Sequence, residues 1–160
     1  MTDITLEWHE YAMAAEIGKL RMLASIRRGS QHKYGMSKHG WTEHIEGSAA
    51  ELAVAKHLNM YWNGSVDTFK RAADVGPNIE VRWRSNPEWD LLVRPDDDDA
   101  AWFVLVVGAC PTYRIVGAMR GADAKQDCWR QDYGGRPPAF FVPQRDLHPV
   151  ADVMYSQTTT

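Results

Sequence analysis

The stretch DVGPNIEVRWR, residues 74 to 84, sets two carboxylates and two guanidinium groups close together in the chain. From Ile79 to Ser85 apolar and polar residues alternate with the period of a β-strand. Ile79, Val81 and Trp83 then face one way, and Glu80, Arg82 and Arg84 the other. Charges on a half-buried strand are costly unless they pair or bind something. Two accounts meet that constraint. In one, Glu80 pairs with a neighbouring arginine and all three charged residues face water. In the other, Asp74 and Glu80 are hard oxygen ligands for magnesium, which keeps several waters and recruits a phosphate, while Arg82 meets the anion. An ion in that position polarises a phosphodiester and supplies hydroxide.

The elements that must position these residues are readable in outline. Residues 6 to 28 are helix formers without proline, with acids near the start and Arg27–Arg28 at the end, and Gly29–Ser30 stop them. The polar, glycine-dotted segment 29–40 is a connection. Its Lys33 and Lys38, with His32, His39 and Tyr34, either touch a phosphate backbone or form a solvated loop. Thr42 can cap a second helix that runs to about Met60. On it Glu51 shares a stripe with Gly47, Ala55 and Leu58, away from Lys56 and His57, and His44 lies on nearly the same face.

A short strand over residues 66–71 is expected next. Asn86–Pro87 then breaks the alternating strand, and EWDLLVRP reads as its hairpin partner, where Asp90 could share a side with Glu80. The acids Asp96 to Asp99 read as a solvated turn. The continuous apolar run from Ala100 to Ala109 suits a central strand covered on both faces. YRIVGAMRG adds a strand, DAKQDCWRQ a short polar excursion and PPAFFVP an edge strand, and residues 151–160 should fray. Helices grouped before strands argue for an α+β domain in which helices flank a mixed sheet of four to five strands.

With 160 residues the chain has room for one core, so residues 1–160 are read as a single domain. A net charge of −3 lacks the basic signature of many nucleic-acid binders, although an enzyme that handles phosphate through metal ions carries acids at its centre. Cys110 and Cys128 form no metal-binding pattern and read as a core thiol and a partly buried one in a reducing compartment. No stretch approaches the roughly 18 apolar residues of a membrane span, and the start lacks signal-peptide features. The expected location is the cytoplasm.

Asp74, a short turn and then EVR at Glu80 to Arg82 resemble the signature of the PD-(D/E)XK nuclease superfamily, an aspartate followed on the next strand by acid, any residue, lysine. The helix GSAAELAVAKHLN resembles that superfamily's first core helix, with Glu51 matching a glutamate that completes the metal site. The resemblance covers roughly residues 41–150 and looks like small phage-encoded members. It implies a restriction-endonuclease-like αβββαβ core, here preceded by an extra N-terminal helix at 6–28. It further implies a Mg2+-dependent deoxyribonuclease, with Mn2+ able to substitute. Asp74, Glu80 and Glu51 would bind the metal and Arg82 would contact the scissile phosphate. The substrate-binding residues would be Arg84, Lys70, Arg71, Lys33 and Lys38.

One departure stands out. Arg82 occupies the lysine position, and arginine stays protonated where lysine can help deprotonate water. Three outcomes stay open: an enzyme using Arg82 electrostatically, one whose lysine has moved, with Lys70 the closest, or an inactive nuclease fold that binds nucleic acid or a host protein. Trp62, Trp83, Trp89, Trp102 and Trp129 are numerous; tryptophans can stack on bases, but strand parity puts Trp83 and Trp102 in the core. Arg71, Arg84, Arg94, Arg114 and Arg120 either rim one acidic centre or are scattered for solubility. DNA is the implied partner, and cutting both strands of a duplex would favour a homodimer.

Overall fold

The apolar run near the middle of the chain becomes the strand around which the rest is arranged. A computed structural model describes residues 1–29, 39–66, 72–133 and 135–153. The elements run β1 (Thr2–Thr5), α1 (Trp8–Arg27), α2 (Gly40–Leu58), β2 (Ile79–Arg84), β3 (Leu91–Val93), β4 (Trp102–Ala109), β5 (Thr112–Arg120), α3 (Gly121–Ala124), β6 (Arg130–Gln131) and β7 (Ala139–Val142). A mixed sheet has the order β1-β5-β4-β2, with β2 parallel to β4 and the other pairs antiparallel. A second, antiparallel sheet has the order β3-β7-β6. The class is α+β, with a mixed four-stranded sheet and helices.

Alternation along β4 divides the interior in two. Trp102, Val104 and Val106 pack with Ala49, Ala53 and Val54 of α2. Phe103, Leu105 and Val107 pack with Leu91, Val93, Phe140 and Val142 of the second sheet. Because β4 is covered on both faces, its sequence has no polar alternation. Among the described strands β2 is the outermost on its side of the sheet, with Glu80 beside Phe103 and Arg82 beside Leu105. Its Ile79, Val81 and Trp83 therefore join the helix-side core, while Glu80, Arg82 and Arg84 project to the other face.

The two long helices touch backbone to backbone. A Cβ on Gly18 would lie 2.5 Å from the Ile45 Cα and 2.6 Å from the His44 carbonyl oxygen. Glycine is what lets α1 approach α2 this closely. At the start of α1, Glu10 accepts hydrogen bonds from the Glu7 N–H and from Lys56 Nζ, each at 2.7 Å, which ties the helix start to α2. Helix α2 stops at Asn59, whose φ of 52° is the left-handed cap conformation that asparagine tolerates.

Several expectations from the sequence are corrected. Residues 79–85 and 88–95 form no hairpin; after Asn86–Pro87 the chain crosses to the second sheet, where burial of Leu91 and Val93 pairs β3 with β7. Strand β7 is the centre of its sheet rather than an edge. Helix α2 begins at Gly40 with His39 in the cap position, so Thr42 is not the cap. Both cysteines are exposed rather than core thiols. Residues 151–153 are helical and Val153 is buried, so the tail does not fray from residue 151; 154–160 lie outside the described residues. The strand expected at 66–71 falls almost wholly outside them too, and β1, which pairs with β5, was not foreseen. Among the described residues no helix is long and apolar enough to cross a membrane.

The close helix contact yields a paired expectation. Gly18→Ala should destabilise the protein by about 1–3 kcal/mol through overpacking against backbone that cannot yield. Gly47→Ala, inside α2 where an added Cβ meets nothing within 4 Å, should be neutral or stabilise by about 0.4–1 kcal/mol. Urea unfolding of the two variants beside the wild type checks both signs.

Candidate functional site

The turn between Asp74 and Glu80 explains their spacing. Val75 and Ile79 form an antiparallel bridge, exchanging N–H to carbonyl hydrogen bonds of 3.0 and 3.2 Å around Gly76–Pro77–Asn78. Gly76 has φ +56°, which a turn this tight requires and which glycine accepts freely. Extending the same register one residue outward sets residue 74 opposite residue 80. Asp74 then sits on the side of β2 away from β4, where its Oδ2 accepts the Val81 N–H at 2.7 Å. An aspartate six residues before a strand glutamate thus becomes its cross-strand neighbour.

Helix α2 delivers the third acid. Glu51 is buried, and Arg21 of α1 grips it with both terminal nitrogens, Nη1 to Oε1 at 2.5 Å and Nη2 to Oε2 at 2.9 Å. Trp62 Nε1 donates to the same Oε2 at 3.1 Å. Arg21 Nε donates to the Ser65 carbonyl at 2.8 Å, so one guanidinium joins α1, α2 and the segment that follows α2.

The charges do not balance. Burial and the neighbouring Asp74 carboxylate push Glu51 up to about 7 despite Arg21 and Trp62. Burial and Asp74 push Glu80 up to about 7 as well, with Asp97 and Glu51 adding to the rise and Arg82 opposing it. Burial also raises Asp74, against the Val81 N–H, Arg82 and Arg21, which favour its charge. Around this point stand four carboxylates, Glu51, Asp74, Glu80 and Asp97, and two guanidinium groups, Arg21 and Arg82. Fully ionised, that set carries a charge of −2.

Arg82 is more tightly held than its strand pattern suggested. Its Nη2 meets Asp97 Oδ2 at 2.9 Å, its Nη1 stands 3.7 Å from Glu80 Oε2, and its guanidinium lies 4.9 Å above the Phe103 ring. Asp97 also accepts the Arg94 N–H at 2.8 Å and is nearly buried. The acidic run was read as a solvated turn, but its second member is a structural anion.

The other sequence-derived residues separate. Arg84 points to the same face as Glu80 and Arg82 but reaches the Trp89 ring, 4.7 Å away, and has Asp90 as its electrostatic partner. Asp90 precedes β3 and does not join Glu80. His44 contributes its carbonyl to Ser48 Oγ and to the helix contact at Gly18. Arg114, on β5 two strands from β2, pairs with Asp3 on β1, and Arg120 lies over Trp102, so these arginines do not rim the acidic centre. Lys33, Lys38, Lys70 and Arg71 lie outside the described residues.

Arg21 is not marked by the sequence pattern, and Trp62 and Asp97, visible there as a tryptophan that could stack on a base and as part of a solvated turn, instead hold Glu51 and Arg82. The signal that could have found Arg21 is a glycine inside a long helix, since Gly18 and Arg21 lie one turn apart on the face that meets α2. A second buried acid, Glu46, is a different matter: it accepts from the Tyr113 and Tyr11 hydroxyls at 2.7 and 3.1 Å and from the Cys110 N–H at 3.2 Å, a filled structural network.

As they stand, no three His, Cys, Asp or Glu side chains among the described residues are gathered closely enough to hold a metal ion. Asp74 and Glu80 face one another, whereas both oxygens of Glu51 are turned to Arg21 and Trp62. The donor set nevertheless fits a hard divalent cation: it is all oxygen, acidic, and short of positive charge by the amount one such ion carries. No family model, curated protein or solved structure matches this chain.

The raised carboxyls make stability fall with pH. Folded Glu51 and Glu80 hold protons up to about 7, against about 4.5 when unfolded. Their contribution is therefore complete below pH 4.5 and lost as pH rises to 7. In metal-free buffer at pH 8, Glu80→Gln should stabilise the protein by on the order of 1 kcal/mol. Arg21→Met should destabilise it by about 3–5 kcal/mol, because Glu51 is left buried without its counter-charge. Thermal melts at pH 5 and pH 8 read both effects.

Proposed function

We propose that the protein is a metal-dependent nuclease that hydrolyses DNA phosphodiester bonds at the Glu51–Asp74–Glu80 centre. The observation that carries this reading is the convergence of four acids, from helix α2, strand β2 and the two turns that bear Asp74 and Asp97, on two arginines, a set that carries −2 when fully ionised. Folded proteins tolerate such an imbalance at sites that bind or react. The spacing matches the PD-(D/E)XK signature that Asp74, Glu80 and Arg82 resemble, and α2 packs against β2 as a helix carrying the third acid must.

Asp74 and Glu80 would hold Mg2+, or Mn2+ in its place, with Glu51 behind them. The ion, when bound, supplies a Lewis acid and a nucleophilic hydroxide. The chain's own residues do the rest. Arg21 orients Glu51 through its two-pronged grip, and Asp74 is oriented by the Val81 N–H. Arg82 cannot act as a base, because its guanidinium stays protonated. Its service is electrostatic: by exchanging Asp97 for a phosphate oxygen it offsets charge that develops in the transition state. The αβββαβ arrangement of the superfamily belongs to the same proposal, with β2 and β4 as its parallel pair. A phage origin, a cytoplasmic location and a homodimer cutting both strands are consistent with it.

The engagement of Arg82 by Asp97 and of Glu51 by Arg21 favours a second reading, an inactive nuclease fold that binds nucleic acid or a host protein. One experiment separates the two. Labelled linear, single-stranded and branched DNAs are incubated with the protein in Mg2+, Mn2+ or EDTA. Cutting in either metal is expected, lost in EDTA and reduced at least about a hundredfold in Glu80→Gln, since a metal ligand's contribution is several kcal/mol. Folded protein that binds metal and DNA without cutting would establish the second reading.

A further inference from the structure

A cleft of about 900 Å³ opens beside Arg84, at the end of β2 away from Glu80. Three aromatic residues, Trp89 from one segment and Tyr133 and Phe141 from another, line it. Trp89 is 47% exposed and Tyr133 57%, with Tyr133 standing edge-on to Phe141 at a centroid separation of 5.1 Å. Large rings left open to water in a concave site present flat apolar area that a planar ligand would cover.

Arg84 supplies the second observation. Its guanidinium lies 4.7 Å over the Trp89 ring, yet its Nε is buried and has no hydrogen-bond partner among the described residues. A buried donor left unmade is a standing cost that an acceptor on a ligand would remove. The charge of the cleft limits what that ligand can be. Its lining holds Arg84, Arg94 and Arg136, outnumbered by four acids that include Glu88 and Asp90. A phosphate would find no net positive charge there. A neutral ring with donors and acceptors along one edge meets all three features.

We propose that this cleft holds an unstacked nucleobase, with Trp89 and Tyr133 against its faces and the Arg84 side chain turning its now buried Nε out to donate to an acceptor on its edge. The inference rests on the nuclease reading and narrows it to a substrate that is single-stranded or locally unpaired. Arg84 follows Glu80 by four residues on one strand, roughly 13 Å at about 3.3 Å per residue. That is about four base steps at ~3.4 Å each, so one DNA strand can reach both sites.

The test is binding in EDTA, where cutting plays no part. Fluorescence anisotropy compares a short single-stranded oligodeoxynucleotide, an abasic strand of the same length, a nucleoside monophosphate as competitor and a proline-rich peptide. The base-bearing strand should bind tightest. Trp89→Ala and Tyr133→Ala, both exposed and expected to leave the melting temperature unchanged, should each weaken it roughly tenfold, with no effect on the abasic strand. Trp89→Phe should recover most of the loss. Equal affinity for the abasic strand, or variants without effect, would overturn the proposal. So would a mononucleotide that competes as well as the strand, or a peptide that binds where the strand does not. The two readings fail separately: base binding without metal-dependent cutting refutes only the nuclease, and cutting with no loss in Trp89→Ala refutes only the base site.

Discussion

The grip of Arg21 on Glu51 is the interaction on which the rest of the centre depends. The two side chains are 19% and 8% exposed, so the pair is nearly out of water and its attraction is little screened. A pair so placed gains little net stability, because desolvation offsets the attraction, but losing one partner is expensive. Its consequence is therefore geometric. The pair fixes the rotation of α1 against α2, requires the backbone contact at Gly18, and holds the segment carrying Trp62 and Ser65 over the carboxylate. Glu51 is thereby kept beside Asp74 and Glu80.

Strand β2 is the second constraint. Among the described residues its one strand neighbour is β4, and Asp74 occupies part of its other side through the Val81 N–H. Its two faces serve different purposes. Ile79, Val81 and Trp83 tie it to the helix-side core, and Trp83 Nε1 adds a 2.8 Å bond to the Gly108 carbonyl. Glu80, Arg82 and Arg84 form a charged row whose members meet different partners: Asp74 at the start, Asp97 in the middle, Trp89 and Asp90 at the end. One strand thus links the acidic centre to the aromatic cleft.

Much of this was legible in the residues, and the omissions have physical causes. The parity of β2 and the buried side of α2 followed from periodicity, because a strand with one buried face and a helix with one packed stripe advertise themselves. The partner of β2 did not, since pairing with β4 rather than the nearby 88–95 segment is decided by which core Leu91 and Val93 enter. Asp74 and Glu80 stand out because acids are conspicuous beside an apolar strand, and Glu51 because it lies on an apolar helix stripe and matches a position of the nuclease signature. Arg21 was hidden because a basic residue on a long helix reads as solvated until the packing of that helix is known. Asp97 was hidden among identical neighbours, where only position relative to Arg82 distinguishes one from the next.

The central claim is that the excess negative charge at Glu51, Asp74 and Glu80 is a seat for a divalent cation. Calorimetric titration of Mg2+ into the protein at pH 7, repeated in buffers of different ionisation enthalpy, tests it most directly, because a metal that enters among carboxyls held up near 7 must displace protons. Saturable binding with release of a substantial fraction of a proton is expected, both lost in Glu80→Gln. Absence of binding, or binding that releases no proton and survives the substitution, would contradict it.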